Sequence, residues 1–381
     1  MQKKVFLLGS TGSIGKNTLK SISHLNKLGH DFKITGLAAG SSLALLKRQI
    51  ARFHPGVVYI KSESGCKSLK KNFPRLKIFS GREGLQAALA AGDFDLFVNS
   101  IVGSQGLVPT LTAITKKADI ALANKESLVA GGQLVKKALH KHRVNLIPVD
   151  SEHSAVFHIL KGVAPANINK LIITASGGPF FFKPVKNPSP EQTLAHPTWK
   201  MGPKITIDSA TMMNKGFEII EAHYLFDLSY DMIETVIHPQ SLIHSMVESK
   251  DGEIYAQLGK NDMRLPIQNA LTYPVIEKNM VKPLKLWETK ALSFFKPDFK
   301  KFPLLKLAYE AGRTGGSYPV VLNAANEAAV HLFLNKKISY NKIAAIVCDY
   351  VKKHRGRSFP DIDYILALDN EIKMKITKDH N

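Results

Sequence analysis

The densest run of chemistry-bearing side chains lies between Asp208 and Glu221. A strand over 204–207 would deliver Asp208 and Ser209, and a helix would open near Asn214. Ser209, Asn214 and Lys215 then offer a hydroxyl, an amide and an ammonium close to a helix start, which suits a phosphate. Glu218 and Glu221 stand one turn apart and share a helix face. A second acidic group, Asp150-Ser151-Glu152, ends a strand-like run over 144–149. In extended chain, residues i and i+2 point the same way, so two carboxylates converge there and repel unless compensated. Hard oxygen donors of this kind suit Mg²⁺ or Mn²⁺, with either Glu218 or Glu221 as third ligand.

Near the start of the chain, Gly9, Gly12 and Gly15 are spaced three and three between a strand and a helix. Glycines let backbone turn tightly and approach a pyrophosphate, and the helix N-terminus offers free N–H groups. Thr11 and Ser13 add hydroxyls. The second strand runs into Gly40-Ser41-Ser42, with no acidic residue to bond a free ribose 2′-hydroxyl, so NADP fits better than NAD; Arg48 adds positive charge nearby. Short-chain dehydrogenases also space glycines by three, but they need a Tyr followed four residues later by Lys, and none of the 10 tyrosines here has one.

The stretch 195–203 carries His196, Trp199 and Met201 among prolines and glycine, as a lid that excludes water from a reacting centre would. Gly177-Gly178-Pro179 after Ser176 reads as a turn at a strand end. His238, Gln240, Ser241 and His244 read as supporting polar groups beside strands.

These groups need a scaffold. Apolar runs at 5–8, 34–37, 57–60, 96–98, 120–123 and 144–149 read as buried strands, alternating with helical spacing at 43–53, 85–91 and 128–139. That alternation predicts a doubly wound, Rossmann-like parallel sheet, whose ligands sit at the carboxyl ends of the strands. After residue 150, strand-like runs at 170–174, 204–207, 235–237, 245–247 and 253–257 accompany helical segments at 154–161, 215–226 and 265–273. This reads as a central α+β domain. A proline-punctuated stretch follows, and then a C-terminal helical bundle with helices over 319–334 and 340–353. The expected fold class is therefore α/β, with domains 1–150, 151–282, a connector 283–303, and 304–381.

The 381 residues carry 52 Lys+Arg against 31 Asp+Glu, a net charge of +21. The excess lies mostly in residues 1–150, and residues 151–298 balance. It is dispersed in pairs such as Lys70-Lys71, with no aromatic-interleaved basic run, so no nucleic-acid partner is expected. Two cysteines build no disulfide framework. No apolar run approaches the ~18 residues of a membrane span. A cytoplasmic, membrane-free location is expected.

Taken together, 9–15, 99–103, 123–127, 149–153, 176–179, Met201-Gly202, 208–216, 238–241 and 323–327 closely resemble the 1-deoxy-D-xylulose 5-phosphate reductoisomerase family, in unbroken order from residue 3 to about 370. The resemblance implies rearrangement of 1-deoxy-D-xylulose 5-phosphate and reduction by NADPH to 2-C-methyl-D-erythritol 4-phosphate, an early step of non-mevalonate isoprenoid synthesis, in a homodimer. It implies NADPH contacts from Thr11, Gly12, Ser13, Ile14, Asn124, Glu126 and Gly202; Gly40, Ser41 and Ser42, where the chain departs from the family pattern, join them on the strand-end reading above. It implies one divalent ion on Asp150, Glu152 and Glu218, selecting Glu218 over Glu221. Substrate would be held by Lys125, Ser151, Glu152, Ser176, His196, Ser209, Asn214, Lys215 and Glu218, with Lys125, Glu152 and His196 in catalytic roles.

Overall fold

The computed structural model describes residues 2–199, 201–289 and 291–380. In chain order the strands are β1 (Lys3–Leu8), β2 (Phe32–Ala39), β3 (Val57–Ile60), β4 (Lys77–Phe79), β5 (Leu96–Asn99), β6 (Asp119–Leu122), β7 (Leu146–Pro148), β8 (Ile168–Ala175), β9 (Ile233–Ile237), β10 (Ile243–Ser249) and β11 (Ile254–Leu258). The helices are α1 (Ser13–Lys27), α2 (Leu43–Phe53), α3 (Glu63–Asn72), α4 (Gly81–Ala91), α5 (Leu107–Thr115), α6 (Glu126–His142), α7 (Ser151–Ile159), α8 (Pro190–Thr193), α9 (Pro203–Ala210), α10 (Met213–Phe226), α11 (Arg264–Thr272), α12 (Pro303–Thr314), α13 (Tyr318–Leu334), α14 (Tyr340–Lys353) and α15 (Ile362–His380).

The chain divides into two compact units. The first comprises Met1–Asn124, Val135–Ser154 and Asp262–Lys282; the second comprises Lys125–Leu134, Ala155–Asn261 and Pro283–Asn381. The sequence grouped 262–282 with the central region. In the structure α11 packs on α1, β6 and β7, which are all in the first unit. The C-terminal helices fall within the second unit.

The first unit holds a seven-stranded sheet in the order β4-β3-β2-β1-β5-β6-β7, with parallel neighbours throughout. Val5 to Leu8 are wholly buried, as a strand covered on both faces requires. The order starts at the centre, winds outward to β4, and returns to the other side of β1. The crevice of such a sheet lies where the order reverses, beyond the carboxyl ends of β1 and β5.

The second unit holds a four-stranded sheet in the order β11-β10-β8-β9, antiparallel except for the β8–β9 pair. The helices α13, α14 and α15 pack on one another, and α13 also touches α9 and α12. Residue 295 is bridged to Ile237 by two backbone hydrogen bonds, which straps the proline-rich connector to β9.

Two local expectations fail. Residues 204–207 alternate Ile205-Thr206-Ile207 like a strand, yet they lie inside helix α9. Pro203 sits in its first turn, the Thr206 hydroxyl donates to the Gly202 carbonyl at 2.9 Å, and Lys204 pairs with Asp208 one turn on at 2.8 Å. Burial of Thr206, Ile207, Asp208 and Ala210 outweighs the weak strand preference of β-branched residues. Likewise β7 stops at Pro148 and α7 begins at Ser151, so Asp150 and Glu152 are not i and i+2 of an extended strand. Asp150 opens the helix instead, accepting the Ser154 N–H on its carbonyl (2.8 Å) and the Ser151 N–H on Oδ1 (3.0 Å).

Candidate active site

In the first unit the glycine loop leaves the carboxyl end of β1. Gly9 has φ +88°, a left-handed conformation that favours glycine. A Cβ on Gly15 would lie 2.2 Å from the Gly9 carbonyl and 2.6 Å from Ser10 Cα, so only glycine lets α1 start this close to the loop. Gly12 caps α1, and no side chain caps that end, so its leading N–H groups face outward beside the exposed Gly12 and Ser13. The fully buried Asn99 amide, at the end of β5, donates to the Gly106 carbonyl and to Thr110 Oγ1. Gly40, Ser41 and Ser42 end β2 as an exposed run, and the Ser42 hydroxyl caps nothing.

Two first-unit details were not legible as motifs. Gln49, buried on α2, donates its amide to the Ser10 carbonyl at 2.8 Å and fixes the back of the glycine loop; the only signal was an amide on an otherwise apolar helix face. Asn124 is fully buried, and its amide holds the carbonyls of Ile101 and Gly103, so in this structure it shapes the loop after β5. At the head of α7, the Ser151 hydroxyl donates to Glu152 Oε2 at 2.6 Å, and Asp150 Oδ2 lies 4.0 Å from His153 Nδ1.

In the second unit, Glu218 on α10 has no exposed surface. Lys125 Nζ reaches its Oε1 at 2.9 Å, Asn214 donates to the same oxygen, and Lys215 pairs with Oε2. The sequence placed Asn214 and Lys215 in a phosphate clamp with Ser209. The structure gathers them with Lys125 around one carboxylate.

Ser209 lies elsewhere, beside His196. His196 Nε2 sits 3.0 Å from both Ser176 Oγ and Ser209 Oγ. Its Nδ1 accepts the backbone N–H groups of Thr198 and Trp199, at 3.2 and 3.0 Å. Nδ1 is therefore unprotonated, and the neutral ring carries its proton on Nε2, facing the two hydroxyls. Burial favours the same neutral form and lowers the His196 pKa to about 4. Ser176 also accepts the Gly178 N–H, at 3.2 Å. The glycines at 177 and 178 have φ of +81° and +71°, and a Cβ on Gly178 would lie 2.9 Å from Ala210 Cα. The half-buried Trp199 packs near His244, with ring centroids 6.1 Å apart.

Glu126, expected to face cofactor, is buried on Lys204 at 2.8 Å, and Gly202 caps α9 at an exposed position. His238 is wholly buried; it accepts the Leu242 N–H on Nε2 and lies 3.0 Å from the Ser293 carbonyl on Nδ1, holding the connector. The sequence alone does not mark Lys204, because its pairing with Asp208 is an i, i+4 relation visible only once 203–210 is known to be helix.

A parallel sheet that reverses its strand order beside a glycine loop defines the class: a Rossmann-like dinucleotide-fold α/β protein, here with a second α+β unit carrying buried charge and a Ser–His–Ser cluster. Three family models match the chain in succession: 1-deoxy-D-xylulose 5-phosphate reductoisomerase over residues 5–132, its C-terminal domain over 146–226, and the DXP reductoisomerase C-terminal domain over 258–375. The chain is 48% identical over 387 residues to 1-deoxy-D-xylulose 5-phosphate reductoisomerase of Microcystis aeruginosa, covering 98% of each. It is 44% identical over 386 residues to that of Clostridium tetani, covering 100% of each. A crystal structure of DOX-P reductoisomerase in complex with NADPH, fosmidomycin and magnesium is similar at TM-score 0.93 and 39% identity, over 99% of this chain and 98% of that one. The Zymomonas mobilis enzyme in complex with NADPH is similar at TM-score 0.91 and 37% identity, over 100% of both chains. The chain belongs to the 1-deoxy-D-xylulose 5-phosphate reductoisomerase family.

Proposed function

We propose that the protein converts 1-deoxy-D-xylulose 5-phosphate to 2-C-methyl-D-erythritol 4-phosphate, using NADPH and one divalent cation. The observation that carries this reading is the pairing, within one unit, of a lysine-held buried carboxylate with a neutral histidine flanked by two hydroxyls. Such a set can hold a polar sugar phosphate. The glycine cradle fits a dinucleotide: a Cβ would fill it at Gly15, and the uncapped start of α1 supplies N–H donors. Thr11, Gly12, Ser13 and Ile14 would hold the pyrophosphate. The residues Gly40, Ser41 and Ser42, without a carboxylate, would tolerate the 2′-phosphate of NADP. Asn124, Glu126 and Gly202 would support the cofactor site.

Asp150, Glu152 and Glu218 would supply hard oxygen donors of the kind that hold Mg²⁺ or Mn²⁺. When bound, the cation polarises the substrate carbonyl and acidifies its hydroxyls for the carbon-skeleton rearrangement, and NADPH supplies the hydride that reduces the resulting aldehyde. The chain's own residues do the rest. Lys125, Ser151 and Glu152 would orient the reacting carbons and their hydroxyls. Ser176, Ser209, Asn214 and Lys215 would grip the phosphate side. His196 donates from Nε2, so it binds an anionic or carbonyl oxygen as a neutral hydrogen-bond donor. Its ring also anchors the backbone of Thr198 and Trp199, so substrate contact at Nε2 is coupled mechanically to the stretch proposed as a lid.

On this reading residues 1–150 serve the cofactor with 262–282 packed against them, 151–261 carry catalysis and dimerisation, 283–303 connect, and 304–381 form the helical domain. The protein works as a homodimer in the cytoplasm. β11 is an edge strand that exposes Ile254, Tyr255 and Leu258, a surface suited to a second copy. No described helix is long and apolar enough to cross a membrane.

The deciding experiment follows NADPH oxidation spectrophotometrically with the deoxyxylulose phosphate, with and without Mg²⁺ or Mn²⁺. Turnover that depends on both substrate and metal is expected. No turnover, or turnover indifferent to a chelator, would overturn the reading.

A further inference from the structure

Lys204 does not belong to the residues expected to touch substrate, cofactor or metal, yet it is the junction of the second unit's buried charges. Its ammonium lies 2.8 Å from Glu126 Oε1 and 2.8 Å from Asp208 Oδ2, and 4.8 Å above the Phe217 ring. The other oxygen of Asp208 accepts the buried Asn326 amide of α13 at 2.7 Å. Burial opposes the charge on Lys204, but Asp208, Glu126 and Glu327 outweigh it and hold its pKa above the usual lysine value. Glu126 is held ionised in turn: burial pushes that carboxyl up, and the Lys204 ammonium, together with a backbone N–H and Lys125, more than reverses the push.

The neighbours of these two carboxylates matter most. Glu126 follows Lys125, whose ammonium grips Glu218 and Asn214. Asp208 precedes Ser209, whose hydroxyl meets His196. One ammonium therefore ties down the first turn of α6, which presents Lys125, and the short helix α9, which presents Ser209. α9 spans eight residues and has no side-chain cap, so its own hydrogen bonds cannot fix its orientation. Without the ammonium, the two buried carboxylates lose the cation they share and repel each other, which loosens the tie between α6 and α9.

We propose that Lys204 is a positioning residue that sets Lys125 through Glu126 and Ser209 through Asp208, and so holds both sides of the substrate site in register. The inference rests on the activity proposed above for its kinetic readout, and it carries a second readout that does not. The test compares Lys204→Met, Lys204→Arg and, as a surface control, Lys306→Met, whose exposed lysine pairs with Glu310 on the same helix. In ¹⁵N-histidine-labelled protein, the wild-type His196 ring should show the Nε2–H tautomer. Lys204→Met should perturb that signal and cut kcat at least about tenfold, with the KM for the sugar phosphate raised several-fold more than the KM for NADPH, which Lys204 reaches only through Glu126. Lys204→Arg should restore part of each, and Lys306→Met should change neither.

A merely structural lysine would lower thermal stability without splitting the two KM values. Lys204→Met with wild-type kinetics and an unchanged His196 signal would overturn the proposal. If Lys204→Met does not fold, Asp208→Asn takes its place: it keeps the shape and breaks one ion pair. It should move the His196 signal in the same direction, and an unmoved signal overturns the proposal. If the wild type itself does not turn over the sugar phosphate, the functional reading fails, while the histidine spectra still decide the role of Lys204.

Discussion

The two units solve the problem of holding a ligand in different materials. The first builds its candidate site from backbone: glycines that admit close approach, and a helix end whose N–H groups no side chain caps. The second builds from side chains: a carboxylate without exposed surface between two lysines, and a histidine strung between two serines and two backbone amides. A backbone site tolerates many side-chain changes but no added Cβ at its tightest glycine. A side-chain site depends on every charge having its partner, because an unpaired buried charge is costly.

The largest effect is therefore expected where a charge in the second unit is removed. Glu218→Gln leaves Lys125 and Lys215 facing a neutral amide and removes a proposed metal ligand. Its kcat/KM, measured by NADPH oxidation, should fall at least about 100-fold, a loss typical of removing a transition-state electrostatic group. Glu221→Gln, also wholly buried and one turn along α10, should cost far less. If the two variants behave alike, the selection of Glu218 over Glu221 is wrong, and with it the contrast between one essential charge and its neighbour.

The next effect lies in the first unit. Gly15→Ala forces a shift of the loop, because its Cβ has no room; at the ~1–3 kcal/mol typical of overpacking, the KM for NADPH should rise roughly tenfold to hundredfold. Gly12→Ala meets only the Gly9 carbonyl, at 3.3 Å, and should raise it only several-fold. Equal effects would mean the cradle is not limited by backbone approach.

The smallest effect is on stability and comes from His196. Its pKa in the folded protein is about 4, below the unfolded 6.5. Above 6.5 neither state binds the proton, and the histidine's contribution is fully present. As pH falls from 6.5 toward 4, the unfolded chain takes up a proton that the folded one refuses, and that stability is lost. Thermal melts at pH 7 and 4.5 should show a steeper fall for wild type than for His196→Gln, by a few degrees at most, because the ring is only partly shielded from solvent. Parallel slopes would mean that the ring is protonated when folded and that the neutral Nε2–H tautomer is wrong.

Much of the first unit was readable because repetition carries its fold. Runs such as 57–60 and 43–53 coincide with β3 and α2, and the glycine spacing marks the loop. The short β4 and the helices α3 and α5 were not picked out. β4 has only three residues, and the mean hydropathy of α3 is low with its lysines turned outward. In the second unit the residue types were readable but their partners were not. Ser209, Asn214 and Lys215 look like one clamp along the chain. Helix geometry sends Ser209 to His196, and sends Asn214 and Lys215 to Glu218.

By itself the sequence determined the α/β class, the glycine loop after the first strand, the absence of a carboxylate after the second, and the family, because these are local patterns of period, spacing and ordered motif. Tertiary structure alone decided that 203–210 is helix, that Asp150 opens α7 rather than closing a strand, that His196 is neutral with its proton on Nε2, and that Lys204 joins Glu126 to Asp208. These turn on burial and on hydrogen bonds that exist only once the chain has folded, some local and some between residues far apart. Burial changes the free energy of a charge, a tautomer or a β-branched residue by more than its local preference does.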